Sequence, residues 1–181
     1  MSSVLQSSTM QFDKSGSRHL LCVESEAIDL ALTKLESLEY VIDNLKILHH
    51  SETENVKSPQ SIERFALIKN LESRLVEILD RASMGTRFCA IGSEHFVGNL
   101  LRYARRFGLS EAEISWEIVS KETKNVYCSN CQVINPLVRD NIFICSNCGI
   151  KLEVLEHFSR LKNAYLGICA DAEIATPSEV K

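Results

Sequence analysis

The sequence predicts an α/β protein in two parts: a small parallel sheet covered by helices, then a compact four-cysteine module. Three observations carry this reading. From about Arg18 to Ser120, short apolar runs alternate with segments whose apolar residues recur every three or four positions. Two Cys-x-x-Cys motifs follow, Cys128-Ser129-Asn130-Cys131 and Cys145-Ser146-Asn147-Cys148, with thirteen residues between them. A polar stretch, Lys121 to Asn125, separates the two patterns and reads as a linker.

Residues 1–17 are polar and Ser-rich, and read as a flexible leader. His19 to Val23 is a short apolar run of the kind a buried strand needs. Ile28, Leu32 and Leu35 then share one helical face. Tyr40-Val41-Ile42 and Leu45 to Leu48 hold the second strand. His49 to Gln60 is polar, contains Pro59 and reads as a loop. Ser61 stands where it would cap the next helix, whose stripe is Ile68, Leu71, Leu75, Ile78, Leu79 and Ala82. Gly85 marks its stop.

Arg87 to Ile91 is a third strand. A helix follows Gly92-Ser93, with Val97, Leu100, Leu101 and Ala104 on one face and Gly108 at its end. Ser110 and Glu113 have capping-box spacing, and Ile114 to Val119 alternates like a strand. Strands that alternate with helices give a parallel sheet, so residues 18–120 are expected to form a small Rossmann-like α/β domain. Residues 126–174 form the cysteine module, within which His157 to Gly167 reads as a packing turn or short helix. Residues 175–181 read as a frayed tail.

Composition bounds the function. The 181 residues are 45% hydrophobic and 24% charged, enough apolar material for a core. No apolar run is long enough to span a bilayer, and Met1 to Gly16 lacks a basic region followed by an apolar one. The expected compartment is therefore a reducing cytoplasm, with no membrane partner. The net charge of −4 argues against a nucleic-acid partner, because phosphate neutralisation needs a basic face.

In such a compartment paired Cys-x-x-Cys motifs read as metal ligands rather than disulfides. Each motif brings two sulfurs to one side of a tight turn, and two facing motifs make a tetrahedral four-sulfur cage for zinc, or for iron. Gln132 to Asn135 running out and Asn141 to Ile144 running back are expected to form one hairpin with a motif at each base. Cys128, Cys131, Cys145 and Cys148 are thus the expected ligands of a structural Zn(II). Four cysteine ligands leave no open position for catalysis. A module this small needs such a staple to fold.

The remaining residues name no reaction. Cys22 and Cys89 lie in apolar strand runs and read as core, and Cys169 carries no assignment. His95 sits at a strand-to-helix junction, where open α/β sheets place ligands, but reads better as a helix-start residue. His157-Phe158 is either a contact surface or packing against the ribbon. Arg102, Arg105 and Arg106 cluster on one helix, as an anion-binding or a solvated face.

Two stretches resemble known families. Cys128 to Gly149, Glu156-His157-Phe158-Ser159-Arg160, Ala164 to Ile168 and Asp171-Ala172-Glu173 resemble the A subunit of bacterial dimethylamine monooxygenase. Phe88 to Phe96, the helix to Gly108 and Ile114 to Glu117 are similar to the NAD(P)-binding half of ferredoxin-reductase-type flavoenzymes. That family has a glycine-rich turn after its first strand and a Cys-Gly-Pro turn after its last. This chain has Glu24-Ser25-Glu26 and Ile91-Gly92-Ser93, with Cys89 two positions early. Two carboxylates at the first turn repel phosphate, so the domain is expected to keep the fold and not the dinucleotide.

The first resemblance implies a multicomponent oxygenase that oxidises a secondary amine at NAD(P)H expense. Its partners would be a flavin and iron–sulfur reductase subunit and a haem oxygenase subunit. This chain would be a zinc-bearing accessory subunit that docks them, with no catalytic residues of its own. The alternative is a zinc-ribbon module for nucleic acid or protein. Against it, Gln132 to Phe143 offers only Arg139 to pair with phosphate. An independent NAD(P)H reductase would need the glycine turn that Glu24 to Glu26 replaces.

Overall fold

The computed structural model describes residues 9–42, 44–51, 62–159 and 161–170. They fall into two compact units, one reaching to Lys121 and the other starting at Glu122.

The first unit is a five-stranded, wholly parallel sheet. Its strands are β1 (Arg18–Glu24), β2 (Leu45–His50), β3 (Ile62–Phe65), β4 (Thr86–Ser93) and β5 (Ile114–Ser120), in the order β3-β2-β1-β4-β5. The three helices are α1 (Ile28–Glu36), α2 (Ile68–Asp80) and α3 (Glu94–Arg106). β1 is central, with Leu21 opposite Ile47 on β2 and Cys89 on β4. Strand residues alternate between faces. Leu21, Val23, Ile47, Cys89 and Ile91 pack with Ala27, Ile28 and Ala31 of the α1 segment. α2 contributes Leu71, Leu75 and Leu79, one per turn, and α3 contributes Phe96, Val97, Leu100, Leu101 and Ala104, all buried. Here the expected α/β fold is present.

Several details differ from the sequence reading. The second strand starts at Leu45 and leaves Val41 exposed. It also takes in His49 and His50, expected in the loop, because both pair in register with β1. Ser61 lies outside the described residues. α2 begins at Ile68 with Leu67 at its N-cap position, after an unexpected edge strand, β3. Residues 9–17, part of the expected leader, are docked on the sheet. Met10 is buried, its N–H donates to a Glu117 carboxylate oxygen at 2.8 Å, and Gln11 N–H donates to Ser115 Oγ at 2.9 Å. The Ser110–Glu113 capping box is present, on a single 3-10 turn.

The second unit is a five-stranded sheet of β6 (Lys124–Cys128), β7 (Ile134–Val138), β8 (Ile142–Ile144), β9 (Lys151–Ser159) and β10 (Ala164–Cys169). Its order is β7-β6-β10-β9-β8. The single hairpin expected between Gln132–Asn135 and Asn141–Ile144 is not formed, since β7 and β8 lie at opposite edges. Each cysteine motif reverses the chain itself, so each has a hairpin of its own, β6–β7 and β8–β9. The packing turn or short helix expected over His157 to Gly167 is instead the end of β9 and most of β10. β10 separates the hairpins, parallel to β6 and antiparallel to β9. Lys124 and Asn125, expected in the linker, belong to β6.

Among the described residues no helix is long and apolar enough to cross a membrane.

Candidate metal centre

Two matching turns build the centre. In the first, Gln132 N–H donates to Cys128 O and Cys128 N–H to Val133 O, both at 2.9 Å. In the second, Gly149 N–H donates to Cys145 O at 3.0 Å and Cys145 N–H to Ile150 O at 2.9 Å. The residue after each second cysteine is left-handed, Gln132 at φ 63° and Gly149 at φ 71°. Glycine takes that conformation freely and Gln132 takes it at a cost.

The four Sγ atoms lie within 4.8 Å of one another. Cys128 and Cys148 sulfurs are 3.8 Å apart, and Cys131 and Cys145 sulfurs 3.6 Å. A disulfide needs about 2.05 Å. A tetrahedral metal with bonds of about 2.3 Å to sulfur places its ligands about 3.8 Å apart. The separations therefore fit a bound metal ion. Cys128 and Cys145 are buried while Cys131 and Cys148 are partly exposed, so the cage has an inner and an outer edge. Leu152 lies beneath it, with Phe143 and Ile150 packed alongside.

Charge is unevenly prepared. Burial pushes the Cys145 thiol up, but N–H groups of Cys148 and Asn147 and the Asn135 side chain outweigh it and bring it down to about 6. The Val133 N–H and the Asn147 side chain pull Cys131 down. Burial holds Cys128 up at about 11. A metal ion needs all four as thiolates, so its binding releases protons.

In the first unit, the carboxyl ends of β1 and β4 flank the point where strand order reverses, where open sheets hold ligands. Here Glu24, the last residue of β1, closes that point. Its carboxylate accepts the Ser93 N–H at 2.5 Å, at the N-cap of α3, whose positive end favours an anion. Gly92 makes room for this, since a Cβ there would stand 2.7 Å from Glu24 Cβ and 2.8 Å from its Oε2.

Residues 1–114 match the model "Dimethylamine monooxygenase subunit DmmA-like, N-terminal domain", and residues 125–168 match the corresponding C-terminal domain. The chain belongs to the DmmA-like family. A curated relative, the "Heme-dependent oxidative N-demethylase delta subunit" of Ectopseudomonas mendocina (strain ymp), is 37% identical over 109 residues, which span 60% of this DmmA-like chain and 62% of the relative. A crystal structure of an intact type IV self-sufficient cytochrome P450 monooxygenase is similar in fold at a TM-score of 0.50. It shares 11% identity and covers 89% of this chain and 27% of that one. The ferredoxin reductase of carbazole 1,9a-dioxygenase (FAD apo form) aligns more distantly, at a TM-score of 0.38 and 15% identity over 56% of this chain and 35% of that one.

Other residues singled out from sequence stay outside the four-cysteine cluster of this DmmA-like chain. Cys22 and Cys89 are buried core thiols, both pushed up by burial, Cys89 to about 12. His95 lies in the first turn of α3, its Nε2 3.1 Å from Asn99 Nδ2. His157 is exposed on β9, while Phe158 packs edge-on against Tyr165 at 5.1 Å, which favours the packing reading of that pair. Arg105 pairs with Glu111, and Arg102 and Arg106 are exposed. Cys169 ends β10, and Asp171-Ala172-Glu173 lies outside the described residues. Sequence reading missed Glu24's bond to Ser93 and the role of Asn135, described below.

Proposed function

We propose that this chain is a zinc-binding, non-catalytic subunit of a multicomponent, NAD(P)H-dependent amine monooxygenase. In this reading it docks a flavin and iron–sulfur reductase subunit and a haem oxygenase subunit. Membership of the DmmA-like family supports the oxygenase context, as does the name of the N-demethylase delta subunit. The observation that carries the accessory role is the ligand set of the cage. Cys128, Cys131, Cys145 and Cys148 fill every position of a tetrahedral ion, so zinc there supplies cohesion and no open site for substrate. Glu24 on Ser93 N–H supports the same role in the first unit, because a dinucleotide phosphate would have to displace a carboxylate already in place.

The test is a tagged pull-down from the native host with metal analysis of the purified chain. The reading requires one zinc per chain, together with a haem protein and a flavin and iron–sulfur protein held at fixed ratios. A purified chain that binds NADPH tightly, or whose partners are nucleic-acid proteins, sinks it.

A further inference from the structure

Asn135 is a buried polar side chain in the strand leaving the first knuckle, followed by Pro136 and only 3% exposed. Asparagine is disfavoured in strands, so a buried one calls for a reason. Its Oδ1 accepts the Ser146 backbone N–H at 2.9 Å and the Ser146 hydroxyl at 2.8 Å. Its Nδ2 lies 3.5 Å from Cys145 Sγ and 3.4 Å from Val126 O. The amide orientation follows from chemistry. A backbone N–H only donates, so the oxygen must face Ser146, and the NH2 group then faces a sulfur and a carbonyl that both accept.

We propose that Asn135 is the positioning residue of the metal centre. It carries the order of the first hairpin across to the second knuckle and donates a hydrogen bond to the Cys145 thiolate. The two hairpins are not neighbours in their sheet, because β10 lies between them. Asn135 ties the knuckles directly. One end of its amide holds the chain just after Cys145, and the other holds the sulfur itself. The direction of the sulfur is then fixed by the fold itself. Groups that hold metal ligands in this way matter nearly as much as the ligands. The inference rests on the cysteine cage binding a metal.

Cobalt(II) substitution reads the centre without any oxygenase activity. Asn135→Asp keeps an oxygen for Ser146 and removes the donor to sulfur. Ser146→Ala removes one bond to Asn135 and leaves its NH2 on Cys145. Asn135→Asp is expected to weaken Co(II) about 10- to 100-fold in chelator competition. It is also expected to move the sulfur-to-cobalt charge-transfer band to lower energy, since a thiolate that accepts fewer hydrogen bonds gives up an electron more easily. Ser146→Ala should leave the band in place. Wild-type affinity and band in Asn135→Asp overturn the proposal, as does a band shift of equal size in Ser146→Ala. Should Asn135→Asp fail to fold, the wild-type protein loaded with 113Cd decides. An Asn135 side-chain N–H coupled to cadmium and slow to exchange is expected, and a freely exchanging, uncoupled one overturns the proposal. Wild-type protein that takes up neither metal refutes the metal reading itself, which a failure of Asn135 alone does not.

Discussion

At the carboxyl edge of the parallel sheet, one negative side chain, Glu24, meets the start of α3. In the ribbon, four sulfurs that are negative when ionised meet one another at separations of 3.6 and 3.8 Å. The first arrangement is neutralised within the chain: carboxylate, amide N–H and helix end satisfy each other. The second is not. A few N–H groups and one Asn amide soften the repulsion that four thiolates would have, and the proposed cation would cancel it. Position in a fold therefore says little about whether a ligand belongs there. The charge balance left by the chain's own atoms says more.

The largest expected effect breaks the ribbon side of this comparison. Cys128→Ser should abolish stoichiometric zinc and remove the stabilisation of a structural site, on the order of 10 kcal/mol in small zinc modules. Hydrogen exchange should then show β6 to β10 unprotected and β1 to β5 unchanged. Ribbon amides still protected without metal would mean that the cage is no staple.

On the α/β side, Glu24→Ala should cost about 1.5–3 kcal/mol in urea unfolding, as for a hydrogen bond to a charged group, with zinc content unchanged. Gly92→Ala should cost about 1–3 kcal/mol through overpacking. That cost should shrink in a Glu24→Gly background, where part of the clash is gone, and an undiminished cost would show that Gly92 serves something else.

A smaller effect separates the helix cap from the carboxylate contact. Ser93 Oγ accepts the Phe96 N–H at 3.3 Å, whereas Glu24 uses the Ser93 backbone. Ser93→Ala should cost about 1 kcal/mol. The penalty of Glu24→Ala should persist in that variant.

The last effect is absent at neutral pH. Among the described residues His49 is buried with neither ring nitrogen hydrogen-bonded. Burial, then Arg64 and His50, hold its pKa below 6.5. The unfolded chain therefore binds this proton more readily. The neutral ring favours the fold above the ordinary imidazole range, and stability falls as pH drops below it. His49→Phe should flatten the unfolding profile between pH 7 and 5, and an unchanged slope would assign the acid sensitivity elsewhere.

The four-cysteine cluster and the parallel sheet were legible because their signals are local. A doubled Cys-x-x-Cys needs no partner to be read, and Leu71, Leu75 and Leu79 announce one face by spacing alone. β3 was not legible. Its four residues, Ile-Glu-Arg-Phe, carry two charges, and Glu63 is accommodated at the edge only because Lys46 and Arg74 reach it from β2 and α2. β9 and β10 were not legible because β9 also pairs with β8 and β10 with β6, strands that precede the second Cys-x-x-Cys motif in the chain. Asn135 gave one signal, an asparagine among strand formers, which acquires meaning only once Cys145 and Ser146 are beside it.

The place of β10 sets an order of events during synthesis. Both knuckles leave the ribosome before the strand that lies between their hairpins, since β10 begins at Ala164 and the last cage cysteine is Cys148. All four sulfurs are thus available to a metal while the sheet still lacks its middle. In a nascent chain that binds the proposed metal, the ion and the Asn135 amide would hold the two hairpins together first, leaving β10 a slot with a free strand edge on either side.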